Sequence, residues 1–302
     1  MEYTWLIVAI LGYFAFALAS LGDKIILGQS PRPRAFTFFV GIFNVMAIFA
    51  IPFVEFGMPT GTTIAWIILD AVIYIFGLYG MFSALEKFDV SRVIPAIGAT
   101  QPIFIFALTC LFWGSQVLGI RELSAFSLLL VGTVLISLNR KGDLFTKESL
   151  TISLVTAVLF SLDFVFSKFV YLDMPFWQGF IWIRVASFVF ALCLLLNRNF
   201  YKDVFKNTKK TATNVGVLFV LFQGVGGIAT VLQSLAIALA PIAYLAIINA
   251  LRGVQYVFLF VFSIACTVCI PKILKEDISK GTIIQKILAI LVIGFGLAIL
   301  FY

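Results

Sequence analysis

The chain is a succession of long apolar runs separated by short polar breaks. Ten runs each come close to the roughly 20 mostly apolar residues that a helix needs to cross a bilayer. They cover 3–22, 35–54, 62–84, 90–113, 121–139, 149–171, 176–197, 214–236, 241–269 and 283–301. Within each run the apolar positions are continuous rather than alternating. That predicts helices and excludes the strands of a membrane β-barrel. The longest break is about 17 residues, too short for a soluble domain. The first run follows Met1-Glu2, which lacks the positive charge of a signal peptide, and continues without a small-residue cleavage site; it is expected to stay as a span. The pattern therefore predicts an all-α integral membrane protein with ten transmembrane helices.

Composition agrees with that solvent. Hydrophobic residues make up 62% of the 302 and charged residues 12%, with a mean hydropathy of +1.13. A soluble domain has about 45–50% apolar and about 25% charged residues. The chain has no His, which removes His triads, His metal ligands and His proton relays together. Its four Cys, at 110, 193, 266 and 269, all lie inside apolar runs, so a secreted disulfide framework is excluded. Cys266-x-x-Cys269 is expected to be a pair of small buried residues, not a metal or redox site. Most of the 34 Phe are expected to face lipid or pack between helices.

A net charge of +7 raises the question of nucleic acid. The basic residues are scattered through short loops rather than gathered on one face, so no nucleic-acid partner is expected. By side, their distribution is lopsided. The loops after runs 1, 3, 5, 7 and 9 hold 16 Lys and Arg, whereas the opposite side holds only Arg121. The positive-inside rule then puts the odd-numbered loops in the cytoplasm and both termini outside.

The chain also repeats itself weakly. Lys24, near the end of run 1, aligns with Lys168, near the end of run 6; Ala84-Leu85 aligns with Ser234-Leu235, and Val131-Gly132 with Ile293-Gly294. Five spans per copy is an odd number, so the second copy must be inverted relative to the first. Two repeats are expected, over 1–140 and 149–302. An inverted 5+5 repeat is an architecture of secondary transporters, with substrate near the midplane between the halves.

The junctions between runs 3 and 4 and between runs 8 and 9 carry a resemblance. The first reads Ser83-Ala84-Leu85, Val90-Ser91-Arg92-Val93-Ile94-Pro95 and Gln101-Pro102-Ile103-Phe104. The second reads Ser234-Leu235-Ala236 and Ala240-Pro241-Ile242-Ala243. These segments resemble the repeat core of the drug/metabolite transporter superfamily, EamA type. Gly119 to Ser124 is similar to the family's turn after the fourth helix, with two residues between Gly119 and Glu122; the second half has Pro271 to Lys280 there instead. The resemblance spans nearly the whole chain in helix order. It implies two EamA repeats in a multi-pass plasma (cell inner) membrane protein that transports small metabolites. Members are commonly drawn with both termini inside, opposite to the orientation that the loop charges predict here.

Polar residues inside the spans need an explanation, because a charge at the bilayer centre costs at least roughly 2.5–3.5 kcal/mol. Asp70 lies in run 3, Asp163 and Lys168 in run 6, Arg184 in run 7 and Arg252 in run 9. Thr156, Asp163 and Ser167 fall within about 40° of one another on a helix; Asn249, Arg252 and Gln255 fan over about 120°. Such faces point into the bundle or a wet cavity. Arg252, Arg184, Gln255, Asn249 and Gln101 are the candidate substrate-binding residues, the two Arg as bidentate clamps on an anionic group. Asp163, Asp70, Lys168 and Lys24 are the candidate coupling and gate residues. The competing reading is structural: each Arg neutralised by an Asp, and each Lys reaching for water from a helix end. Pro95 and Pro102 are expected to kink or break the fourth helix. Gly224-Val225-Gly226-Gly227 follows no strand and is expected to serve close helix packing.

Three cations against two acids leave one cation over, so the expected substrate is an anionic or zwitterionic, amino-acid-like solute. No cofactor or metal is expected, no GxxxxGK[ST] loop provides for ATP, and a homodimer is possible. The alternative function is an intramembrane enzyme acting on a lipid or prenyl substrate. Mg²⁺-dependent transfer needs clustered acids, and Asp70 and Asp163 stand singly in different halves.

Overall fold

A computed structural model describes residues 3–26, 33–88, 90–114, 118–137, 146–206, 213–269 and 280–301. The side chains of Lys24, Cys266 and Cys269, on which three of the expectations above fall, lie outside the described residues. The element order is α1 Thr4–Ile26, α2 Pro33–Phe43 with a 3₁₀ continuation Asn44–Phe53, α3 Gly61–Lys87, α4 Val90–Trp113, α5 Ile120–Ser137, α6 Lys147–Asp173 and α7 Phe176–Cys193. A four-residue α8, Arg198–Tyr201, leads to α9 Thr213–Leu239. The ninth span is divided into a 3₁₀ turn Ile242–Tyr244, α10 Leu245–Ala250 and α11 Arg252–Cys269; α12 Lys280–Phe301 is last. The described elements are helical, and ten candidate spans are long and apolar enough to cross a membrane. The protein is an all-α membrane protein.

The helices begin and end for local reasons. α6 is capped by Thr146, whose side chain accepts a hydrogen bond from the Ser149 amide at 3.2 Å, with Glu148 in the first turn to complement the helix dipole. α2 changes from α to 3₁₀ at Asn44, whose amide donates to the Val40 and Gly41 carbonyls at 3.4 and 3.2 Å. α4 stops at Gly114, which takes a positive φ of 92°.

Packing joins the halves reciprocally: α1 runs along α9, α6 runs along α3, and α5 runs along α12. Small residues let these helices approach. A Cβ on Gly80 would lie 2.7 Å from Thr156 Oγ1, and one on Gly132 would lie 2.5 Å from Ile293 Cγ1. The Gly224 to Gly227 run does not do this work. Gly224 and Gly227 have open space where a Cβ would be, and Gly226 meets only Ala19, at 3.8 Å. On α9 the close approaches to α1 fall at Gln233, whose backbone nitrogen would be 3.3 Å from a Cβ on Gly12, and at Phe222, whose ring occupies the space a Cβ on Gly22 would take.

The expected break also moves. α4 is a continuous helix through Pro95 and Pro102. The interruption falls in the ninth span, at Leu251, where no Pro stands. There the Val254 amide turns from the Ala250 carbonyl to that of Leu251, at 2.8 Å. The hydroxyl of Thr133 on α5 replaces it, donating to the Ala250 carbonyl at 3.0 Å. Gly253 admits that hydroxyl, since a Cβ at 253 would be 2.4 Å from Thr133 Oγ1.

Candidate functional site

Two buried polar clusters occupy the bundle. The first surrounds the ninth-span break and gathers α1, α4, α9, α10 and α11. Arg252 is the first residue of α11, half-buried, and forms no ion pair with any carboxylate among the described residues. Its neighbours are aromatic hydroxyls. Tyr13 is buried, donates to the Ile248 carbonyl at 2.7 Å, accepts from Gln233 Nε2 at 3.3 Å and lies within reach of Arg252. Tyr256, one turn along α11, carries a buried hydroxyl with no hydrogen-bond partner. Gly98 on α4 makes room for both, as a Cβ there would lie 2.6 Å from Tyr256 Oη and 3.4 Å from Arg252 Cδ. Pro102 has no N–H to give the carbonyl of Gly98, four residues back. Asn249, on α10, is fully buried (0% exposed), and neither side-chain polar atom has a partner.

The second cluster lies where α3, α6 and α7 meet. Asp70 is 0% exposed. It accepts from Ser167 Oγ at 3.3 and 3.4 Å, and Asp163, one turn before Ser167 on α6, lies near enough to interact with it electrostatically. The two acids that stand singly in the sequence are thus a pair. Arg184 faces them from α7, 6% exposed, with Tyr74 and Phe180 rings 5.0 and 5.3 Å from its guanidinium carbon. It makes no ion pair within 4 Å of either carboxylate; its one hydrogen bond is a long one, 3.5 Å, to Asn44 Oδ1. Arg184 Nε, Asp163 Oδ1 and the Tyr171 hydroxyl are buried without partners.

The other candidates are committed elsewhere. Lys168 does not snorkel. It is 2% exposed and donates to the carbonyls of Ile237, Ala238 and Ala240 at 3.0, 3.1 and 2.7 Å, closing the C-terminus of α9. Gln255 donates to Ser20 Oγ at 3.1 Å, tying α11 to α1. Gln101 donates to the Phe160 carbonyl at 3.3 Å and joins α4 to α6, with its Oε1 left unpaired. Arg184 and Arg252 therefore belong to different clusters, and of Asn249 and Gln255, expected on the same helix face as Arg252, only Asn249 stays unpaired. Sequence reasoning missed Tyr13, Tyr256, Tyr74 and Tyr171. No pattern in the sequence marks them, since each is one aromatic ring among the many in its span. A separate groove of about 570 Å³ between α3 and α7 is lined almost wholly by apolar groups such as Ile67, Ala71, Trp182 and Val185, and suits lipid tails rather than a polar solute.

The fold and the buried charges define a multi-pass membrane protein with ionisable groups set between its helices. No family model matches the chain, and no curated protein matches it. Solved structures do. One, described only as "Crystal structure of protein", superposes with a TM-score of 0.71 at 15% identity, over 99% of this chain and 98% of that chain. At that identity the likeness is one of fold, carried end to end.

Proposed function

We propose that the protein is a secondary transporter of the EamA kind. It would move small anionic or zwitterionic solutes by alternating access between two inverted five-helix repeats in the plasma membrane, with no cofactor and no direct use of ATP. The observation that carries this reading is Arg252. It is a guanidinium in mid-span, at an interruption of its helix, without a carboxylate partner among the described residues and beside unpaired groups of Asn249 and Tyr256. A cation in low dielectric needs a countercharge. A carboxylate-bearing solute supplies it bidentately, with Tyr256 and Asn249 as further donors. Discontinuous helices near the midplane are where such transporters bind their substrates. The reciprocal packing of α1 on α9 and α6 on α3 supports the two-repeat reading.

One observation favours an enzyme instead. The Asp70–Asp163 pair resembles the carboxyl dyad of aspartic hydrolases. Asp70 is fully buried and held by Ser167, and Arg184 stands over the pair, which leaves little room for a scissile bond and its water. Intramembrane hydrolysis is therefore the second reading.

Purified protein in liposomes, screened for counterflow of labelled amino acids and organic anions, tests the first. Accumulation that is lost in Arg252→Gln supports it. No flux with any anionic or zwitterionic solute, alongside cleavage of lipid or peptide that depends on Asp70, would favour the second.

A further inference from the structure

Asp70, Asp163 and Arg184 form a charge set that does not balance. Two carboxylates and one guanidinium sum to one negative charge; Asp70 and Arg184 are buried and Asp163 is half-buried, beside Tyr74, Phe180 and Tyr171. The groups that face the pair are Tyr74 from α3, Tyr171 and Ser167 from α6 and Arg184 from α7; Ser234 of α9 faces Tyr171 rather than the acids. α2 contributes only the amide of Asn44, and Lys168 is turned to the end of α9. No other charged group among these supplies the missing positive charge. Three polar atoms of the set, Asp163 Oδ1, Arg184 Nε and the Tyr171 hydroxyl, are buried without partners, so the cluster is incomplete as it stands.

We propose that Asp70 and Asp163 constitute a proton-binding site that holds one proton between the two carboxyl groups, with Arg184 as its fixed countercharge. Asp163 stands one turn before Ser167 on α6, and Ser167 donates to Asp70, so the two carboxyl groups share one site; ionised carboxylates only accept, and one of them needs a proton to bond the other. The added positive charge brings the set to neutrality, which the low dielectric demands. A metal cation fits worse. It would need about six oxygens in a cage, whereas Ser167 is already committed to Asp70 and Arg184 repels it. Binding is a simple proton transfer: a hydronium ion gives up a proton, its O–H bond breaks as one forms to a carboxylate oxygen, and it leaves as water. The site joins α3 of the first half to α6 and α7 of the second, so rocking of the halves would expose it in turn to either side. Binding stands without transport; only coupling to solute movement rests on the transporter reading.

Infrared spectra of the purified full-length protein in H₂O and D₂O test it. At neutral pH the parent should show a protonated carboxylic C=O band that shifts in D₂O. The band should vanish in Asp70→Asn and in Asp163→Asn, because the remaining carboxylate then balances Arg184 by itself. Asp163→Glu, which keeps two carboxyls, should retain it and serves if an Asn variant fails to fold. Absence of the band in the parent, its persistence in an Asn variant, or its loss on adding Na⁺ at constant pH would overturn the proposal. Failure of transport with the band intact would instead contradict the transporter reading.

Discussion

Arg252 and Gly98 are the two positions where side-chain chemistry at the first cluster is most exposed to test. Arg252→Lys keeps the charge and loses the planar fork. A charge-assisted hydrogen bond is worth about 1.5–3 kcal/mol, or about 10- to 100-fold in affinity. Solute binding by Arg252→Lys, measured by calorimetry or by protection from thermal unfolding, should weaken by at least the lower figure. Gly98→Ala places a methyl against Tyr256 and Arg252. It should lower apparent affinity while leaving expression and helix content near those of the parent, whereas Gly224→Ala, in open space, should change neither. Arg252, Asn249 and the two acids were legible in the sequence because a polar residue in mid-span stands out. The tyrosines were not, since a ring body hides the hydroxyl among 34 Phe. Nor was the meeting of Asp70 with Asp163, which lie in different halves and are joined only by the packing of α3 on α6.

Among the elements, the ninth span is the one whose helix is interrupted beside a polar cluster. Its interruption survives because outside groups satisfy the freed carbonyls: Thr133 takes Ala250, and Tyr13 takes Ile248. Thr133→Val is isosteric and removes the donor. It should destabilise the protein by about 1–3 kcal/mol, the cost of a buried carbonyl left unpaired, and Thr133→Ser should restore most of that. Thermal unfolding in detergent checks both; a Val variant as stable as the parent would show that the break does not depend on α5. The sequence placed the ten spans within a few residues, because twenty apolar residues in a row leave few alternatives. It misplaced the break. A proline marks where a hydrogen bond is missing, but a buried helix can close over that gap, while a break held open by a tertiary hydroxyl leaves only Gly253 as its local sign.

At the scale of the whole molecule, the loop charges fix an orientation. With 16 Lys and Arg in the odd-numbered loops against Arg121 on the other side, both termini should be outside. A C-terminal reporter that is active only outside the cytoplasm should report; activity of a cytoplasm-only reporter would reverse the orientation and leave the fold as it is. On the transporter reading, Arg252 at the ninth-span break would hold an anionic solute and the carboxyl pair of the second cluster would take up a proton. The carboxyl pair should be separable from solute binding: Asp163→Asn should abolish uptake driven by a pH gradient and keep counterflow.

The central claim is that a solute's negative group is held by Arg252. Counterflow in proteoliposomes tests it most directly, with a labelled anionic or zwitterionic solute compared between the parent and Arg252→Gln reconstituted to equal density. The parent should accumulate the solute, and Arg252→Gln should lose at least about 10-fold in apparent affinity for it, with a smaller effect on any cationic one. Equal counterflow of the anionic solute by both proteins, or transport confined to cations, would contradict it.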